Sequence, residues 1–402
     1  MESNNEPANT KSDVNNEEIY KTNWDETVTK FEDLNLDKDL LKGIFGMAFE
    51  KPSAIQQKAI KPILMGRDVI AQAQSGSGKT ATFGIGVLQN IDKEDNKTQA
   101  LIIAPTRELA DQIYTFITKV AVSLNVTIHL SVGGTNTGED RKKLNEGVQV
   151  VVGTPGRIND MVKRGNLKTA NLKMLVIDEA DEMLSLGFIE QINEVIKNIP
   201  SDTQIVLVSA TMPPEIIQMT TKIMNNPVRI LVKKEDITLQ GIKQYFIACS
   251  YEDAKFQNIK EIFSKMNINQ SIIYVNTKEK CEKLAESLNK DNFTVSCING
   301  QMKPEERNEI MKNFRAGNSR ILISTDLLSR GIDIHNIDVV INYELPTKKE
   351  NYIHRIGRSG RYGRMGIAIN LISKHEVNQM LDIEKHYDTE IKELPKDIET
   401  AN

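Results

Sequence analysis

Short, continuous apolar runs divided by longer helix-compatible stretches constrain this chain more than any other feature. In the first half they fall at residues 69–71, 100–104, 128–132, 148–152, 174–177 and 205–208. In the second half they fall at 244–248, 271–275, 294–297, 320–324, 339–342 and 366–371. Almost none alternates with polar residues, so each suits a strand buried on both faces, as in a parallel sheet flanked by helices. A chain of 402 residues is long for one such core, and two α/β domains are expected. The charged segment 233–242 reads as a linker between a first domain at 31–232 and a second at 243–402. Residues 1–30, with seven acidic and three basic side chains, read as a disordered, solvated arm. Its Trp24 is either docked on the first domain or mobile.

One loop gives the first domain its chemistry. Residues 73–80, Ala-Gln-Ser-Gly-Ser-Gly-Lys-Thr, follow the apolar run 69–71 and open a helix-compatible stretch. In such a loop the backbone N–H groups and the helix N-terminus cradle phosphates. Gly76 and Gly78 let the chain turn, Ser75 and Ser77 complete the cradle, Lys79 reaches the β/γ-phosphates and the Thr80 hydroxyl holds Mg²⁺. Ala73 stands where this pattern usually opens with glycine. The second half contains no such loop, which suggests that it completes the nucleotide site from across a cleft.

A second constellation supplies carboxylates. The strand 174–177 ends in Asp178-Glu179-Ala180-Asp181, at the edge where open α/β sheets gather ligands. Asp178 is placed to hold Mg²⁺, directly or through water, and Glu179 to orient and deprotonate an attacking water. A plain helix cap is the competing reading of such carboxylates.

With this tetrad the chain resembles the DEAD-box RNA helicases, from Trp24 to the C-terminus. The resemblance implies two tandem RecA-like domains, each a mostly parallel sheet with helices on both faces. It implies RNA-stimulated hydrolysis of ATP with Mg²⁺, and RNA, single-stranded or in short duplexes, as the partner. Residues 49–57 look like the family's adenine-reading motif, with Phe49 as a stacking face and Gln56 as the amide on adenine; Phe31 fits the isolated upstream aromatic. Ala48 departs from the usual glycine before Phe49. Pro105-Thr106-Arg107, Gly133-Gly134 and Thr154-Pro155-Gly156-Arg157 match loops that grip RNA backbone. Their hydroxyls, backbone N–H groups and arginines suit phosphate and 2′-hydroxyl contacts, with no aromatic ladder for the bases. Ser209-Ala210-Thr211 resembles the motif that couples hydrolysis to strand separation, its hydroxyls reaching the tetrad and Asp181.

In the second domain the same resemblance assigns Thr325 to RNA phosphate, and Gly331 and Asp333 to the nucleotide. Arg355, Arg358 and Arg361 form a fork for triphosphate oxygens, with Arg358 and Arg361 as the arginine fingers. Residues 299–307 depart from the family pattern; only Arg307 survives as an RNA contact, and the loop's hold on RNA is in doubt. Within the family the chain looks like the members that act in eukaryotic translation initiation: monomeric, cytoplasmic and loaded by a scaffold protein. The nuclear members that clamp spliced RNA are the rival reading.

Composition limits the remainder. No apolar run approaches the roughly 18 residues of a membrane span, and the polar, acidic N-terminus is no secretory signal, so an intracellular protein is expected. A net charge of −4 argues against strong non-specific nucleic-acid binding; any RNA site must be a local groove whose affinity depends on a second ligand. Cys249, Cys281 and Cys297 are far apart in sequence, match no metal-ligand spacing and read as buried free thiols.

Overall fold

The computed structural model describes residues 22–73, 76–231, 242–326, 337–359 and 366–395. Within them the apolar runs form two parallel sheets. The first comprises β1 (Val69–Gln72), β2 (Ala100–Ile103), β3 (Ile128–Ser131), β4 (Val150–Gly153), β5 (Met174–Ile177), β6 (Gln204–Ser209) and β7 (Val228–Ile230), in the order β3-β4-β2-β5-β6-β1-β7. The second comprises β8 (Ile242–Cys249), β9 (Ser271–Tyr274), β10 (Val295–Ile298), β11 (Ile321–Ser324), β12 (Val339–Asn342), β13 (Gly366–Ser373) and β14 (Lys392–Glu393), in the order β10-β11-β9-β12-β13-β8-β14. Strand for strand, the two orders are the same.

Continuous apolar strands are explained by what covers them. In β2, Ala100 and Ile102 enter the core beneath one helical layer, while Leu101 and Ile103 enter the other. In β9, Ile272 and Ile273 divide between two cores in the same way. With both faces covered, neither can carry polar side chains. β7 and β14 escape the sequence pattern because they are short edge strands, Val-Arg-Ile and Lys-Glu, whose charged residues face water.

Two expectations about boundaries change. The arm is laid on the first domain from Thr22 onward. Asn23 N–H donates to the Arg229 carbonyl at 3.1 Å, and the Val28 N–H to that of Gln57 at 2.8 Å. Trp24 packs against the first core. The Asn23 bond pairs the edge of β7, and residues 22–30 lie along the first domain with Trp24 and Val28 partly buried and the others exposed. At the other boundary, Ile242 begins β8; the expected linker residues before it lie outside the described residues.

Parallel pairing puts every strand's C-terminal end on the same edge. The loops after β1, β2, β3, β4, β5 and β6 therefore converge, and they are the loops the motifs occupy. Phe49 reaches this edge from a turn in which Ala48 has φ +60°, after the helix Lys38–Gly46. A side chain is strained there and glycine is not. Ala48 is exposed, so Ala48→Gly forfeits little packing. It is expected to stabilise the first domain by about 1 kcal/mol, read as a higher urea midpoint at unchanged m-value.

Candidate nucleotide and RNA site

The phosphate loop is braced from the helix before it. Gly78 has φ +96° and begins the helix Lys79–Asn90; a Cβ there would lie 2.6 Å from Gln56 Nε2. Gln56 is buried, accepts from the Ser53 N–H at 2.8 Å and donates to the Gly78 carbonyl at 3.3 Å. Ser53 Oγ donates to the Ser77 carbonyl at 2.7 Å. Both ends of the Gln56 amide are thus engaged within the protein, where the family resemblance assigns them to adenine. Ser53 was missed, although Ser-x-x-Gln at 53–56 is a visible capping-box spacing. Phe49 is half-buried, edge-on to Phe116 with ring centres 6.0 Å apart. Ser75 lies outside the described residues; Gly76 is exposed with φ +81°, and Thr80 is partly exposed at the helix start.

Opposite the loop, β5 delivers the tetrad. Asp178 and Glu179 are both buried, and Glu179 sits at φ +51°. Lys79 Nζ meets Glu179 Oε1 at 2.9 Å, with both side chains almost wholly buried. Burial first, and the adjacent Glu179 carboxylate second, push the Asp178 carboxyl up to about 7. Burial acts on Glu179 in the same direction, but Lys79 outweighs it and holds that carboxyl below its ordinary range. Glu179 Oε2 is buried without a hydrogen-bond partner among the described residues. The tetrad's last member is anchored separately. Asp181 N–H donates to Ser209 Oγ at 3.2 Å, and Thr211 Oγ1 donates to Asp181 Oδ2 at 2.6 Å. The two hydroxyls expected to reach the tetrad do so, while Ala210 is held through its carbonyl by Gln72 Nε2 at 3.2 Å.

The three RNA-type loops gather on the neighbouring strand ends. Thr106 caps the helix Arg107–Val120, accepting from the Leu109 N–H, and Pro105 is buried behind it. The Arg107 guanidinium lies over Gly134, where a Cβ would come within 2.4 Å of it. Thr154 Oγ1 accepts from the Gly133 N–H at 3.3 Å. Pro155 opens the helix Pro155–Lys163, and Gly156 is exposed at its start. Arg157 differs from expectation. It is buried, paired with Asp140, and donates to Thr135 Oγ1 at 3.2 Å and to the Thr135 carbonyl at 2.8 Å. It braces the Gly133-Gly134 loop from below instead of presenting its charge.

The second domain meets these loops directly. Arg307 Nη1 pairs with Glu108 Oε1 at 3.0 Å, both largely buried, so the expected RNA contact is instead an ion pair between domains. His354 Nε2 is 3.5 Å from Asp181 Oδ2, and Lys348 Nζ donates to Ser185 Oγ at 2.8 Å. Arg355 does not join a triphosphate fork. It is fully buried and bonded to Asp326, Asn342, Asn276 and the Glu344 carbonyl. Arg358 is buried, its Nε donating to the His354 carbonyl. Thr325 is partly exposed just past β11. Gly331, Asp333 and Arg361 lie outside the described residues.

Comparison with known proteins then decides the family. The DEAD/DEAH box helicase model matches residues 53–220, and the helicase conserved C-terminal domain matches residues 254–363. The chain belongs to the DEAD-box helicases. It is 55% identical to the ATP-dependent RNA helicase eIF4A of Scheffersomyces stipitis over 381 residues, 95% of this chain and 96% of that one. The structure of Dbp5 from S. cerevisiae bound to RNA and ADP BeF3 is similar at TM-score 0.86 and 36% identity, covering 93% of this chain and 97% of that one. A variant of the same yeast protein, with Nup159, a Gle1 variant, IP6 and ADP bound, matches at only 0.64 and 36% identity, covering 90% of this chain and 96% of that one. The arrangement of the two domains in this helicase is therefore close to that of the RNA complex.

Asp140 holds this helicase's Gly133-Gly134 loop from one buried point, bonding His129, Ser131 and Arg157 together. Asp140→Ala leaves the Arg157 charge buried and unpaired. It should destabilise the first domain by about 3–5 kcal/mol, checked by chemical denaturation.

Proposed function

We propose that this chain is an ATP-dependent RNA helicase of the eIF4A type, which grips RNA backbone without reading sequence and opens short duplexes by closing its two domains. The observation that carries it is the set of contacts across the cleft: Arg307 with Glu108, next to Arg107, and His354 with Asp181 of the tetrad. The 55% identity to an eIF4A over nearly the whole chain supports messenger RNA leaders as the substrate and the cytoplasm as the site of action. Among the described residues no helix is long and apolar enough to cross a membrane. A scaffold protein that loads a monomer on the messenger is part of the same proposal.

The chemistry follows from the buried pair. Lys79 is the counter-ion of Glu179. A triphosphate entering the loop offers Lys79 more negative charge, and the lysine turns to the β/γ-oxygens. Glu179 is then released to orient the attacking water and take its proton. The site's donors fit Mg²⁺. The Asp178 carboxyl is buried beside the Glu179 carboxylate, and the Thr80 hydroxyl is partly exposed at the helix start, both oxygen donors of the kind Mg²⁺ takes. Thr80 and Asp178 would hold the ion, which neutralises phosphate charge when bound. Arg358 and Arg361 act as the arginine fingers from the second domain, while Phe49 and Gln56 shape the adenine side and Gly331 and Asp333 the ribose side.

RNA phosphates find Arg107, the backbone of Gly133-Gly134, and the helix start at Thr154-Pro155-Gly156, with Thr325 from the other domain. Burial, then the like charges of Arg307 and Arg157, act against the Arg107 cation, and a phosphate would relieve that repulsion. Ser209, Ala210 and Thr211 carry the state of the tetrad through Asp181 to His354.

Three measurements test this reading. Glu179→Gln should lower RNA-stimulated turnover at least 100-fold while ATP still binds, and single-stranded DNA should fail to stimulate the unmodified chain. Equal stimulation by DNA would overturn the assignment. Arg307→Ala and Glu108→Ala should each lower RNA-stimulated turnover while sparing ATP binding. Their double-mutant cycle should give a coupling of about 1 kcal/mol or more, whereas additive losses would place the two residues in separate roles.

A further inference from the structure

The three thiols are not all isolated. Cys281, in the first turn of the helix Lys278–Lys290, and Cys297, in β10, bring their sulfurs to 2.6 Å. A disulfide bond is about 2.05 Å long, so joining them draws the sulfurs together by only about 0.5 Å. Cys281 is fully buried, its Sγ also 3.4 Å from the Ile323 carbonyl. Cys297 is only partly buried, and β10 is the outermost strand of its sheet, so a small molecule reaches it from solvent. Cys249 is elsewhere, buried, with its sulfur bonded to Asn258 and the Ile247 carbonyl.

We propose that Cys281 and Cys297 form an oxidisable dithiol, a modification site for two-electron oxidants of the peroxide class, which closes to a disulfide and staples the helix to the sheet edge. The roles divide by environment. The Cys281 contact pulls the Cys297 thiol down, against burial and the nearby Glu282 and Glu306, whereas the same contact and burial push Cys281 up. Cys297, the partly exposed sulfur at the sheet edge, is therefore the attacking thiolate, and the buried Cys281 resolves it. Its sulfur attacks a peroxide oxygen, an S–O bond forms, the O–O bond breaks, and hydroxide leaves to become water on taking a proton. Cys281 Sγ then attacks the sulfenic sulfur; the S–S bond forms, the S–O bond breaks, and the hydroxyl departs as water with the Cys281 proton. Two thiols and one hydrogen peroxide give one disulfide and two waters, each sulfur losing one electron. The staple lies at the root of the 299–303 segment, which Lys278 also holds through Gln301 at 3.0 Å and which leads to Arg307.

The full chain is treated with stoichiometric hydrogen peroxide, alkylated and mapped by peptide mass. A Cys281–Cys297 cross-linked peptide, two hydrogens lighter than its reduced parts, is expected, with Cys249 alkylated and dithiothreitol reversing the change. The oxidised chain should keep its ATPase, because the sulfurs barely move, and melt several degrees higher, because the closed loop restricts the unfolded chain. Cys297→Ser should abolish both effects, and Cys281→Ala should leave Cys297 to stop at the sulfenic acid. Full alkylation of both residues, over-oxidation of Cys297 without a cross-link, bonds between molecules, or a melting point unchanged or lowered would overturn the proposal.

Discussion

The buried ion pair of Lys79 and Glu179 sets the terms for everything around it. Removing a lysine and a glutamate from water costs several kcal/mol per ion, and only good geometry with further partners offsets it. Here the offset is incomplete: Glu179 Oε2 has no hydrogen-bond partner among the described residues, and Asp178 is pushed up to about 7 beside it. A pocket so arranged is better satisfied by an anion for the lysine and a cation for the carboxylates. A carboxylate oxygen unpartnered among the described residues, beside a buried ammonium, suits the site to the triphosphate proposed for it. Ser53 and Gln56 bond the carbonyls of Ser77 and Gly78 and so brace the described part of the phosphate loop.

Much of this was legible in the residues. Apolar runs without alternation marked the central strands, because a strand covered on both sides has nowhere to put a polar side chain. The loop at 73–80 and the tetrad at 178–181 were visible because phosphate and metal chemistry restrict residue type within a few positions. What escaped depends on partners brought together by folding. Arg157 looks like a free cation until Asp140, on a separate helix, is seen to neutralise it. Arg355 looks like its neighbours in the arginine series until its helix turns it into the core toward Asp326. Cys281 and Cys297 look unrelated because strand and helix share no periodicity that would predict their meeting. The edge strands β7 and β14 were hidden for the opposite reason, since water on one side allows charges that break the apolar signal.

The contacts between domains fall at two places, one at the acidic tetrad and one next to Arg107. Asp181 accepts from Thr211 and faces His354, placing the tetrad in touch with the helix that leads to Arg358. Glu108 belongs to the same turn as Arg107, beside the RNA loops, and holds Arg307. Each contact requires the domains to be closed, so a ligand that favours closure at one end favours binding at the other. Linkage then requires the coupling to be reciprocal. This answers the problem set by a net charge of −4: the chain needs no overall basic surface if phosphate binding at one site assembles the other.

Identical strand order in the two halves raises the question of why only one binds phosphate. The helix after β1, Lys79–Asn90, has no acidic residue in its first turn and is preceded by glycines with positive φ. The helix after the equivalent β8, Glu252–Lys265, opens with Glu252 and Asp253, which cancel the positive end of the helix and repel an anion. Each half also buries a lysine in the first turn of the helix that follows its first strand. Lys79 reaches Glu179, two residues past β5, and among the described residues that is the one ion pair it has to exchange. Lys255 reaches the Tyr343 carbonyl, just past β12, at 2.8 Å and Glu376 at 2.7 Å; Glu376 is fixed in turn by Leu345 and Ser373. One lysine is a counter-ion awaiting exchange and the other is a tie. The two halves share a fold and differ in the charges around the helix start after the first strand: acidic residues and a tied lysine in one, and in the other a lysine with a single carboxylate partner among the described residues.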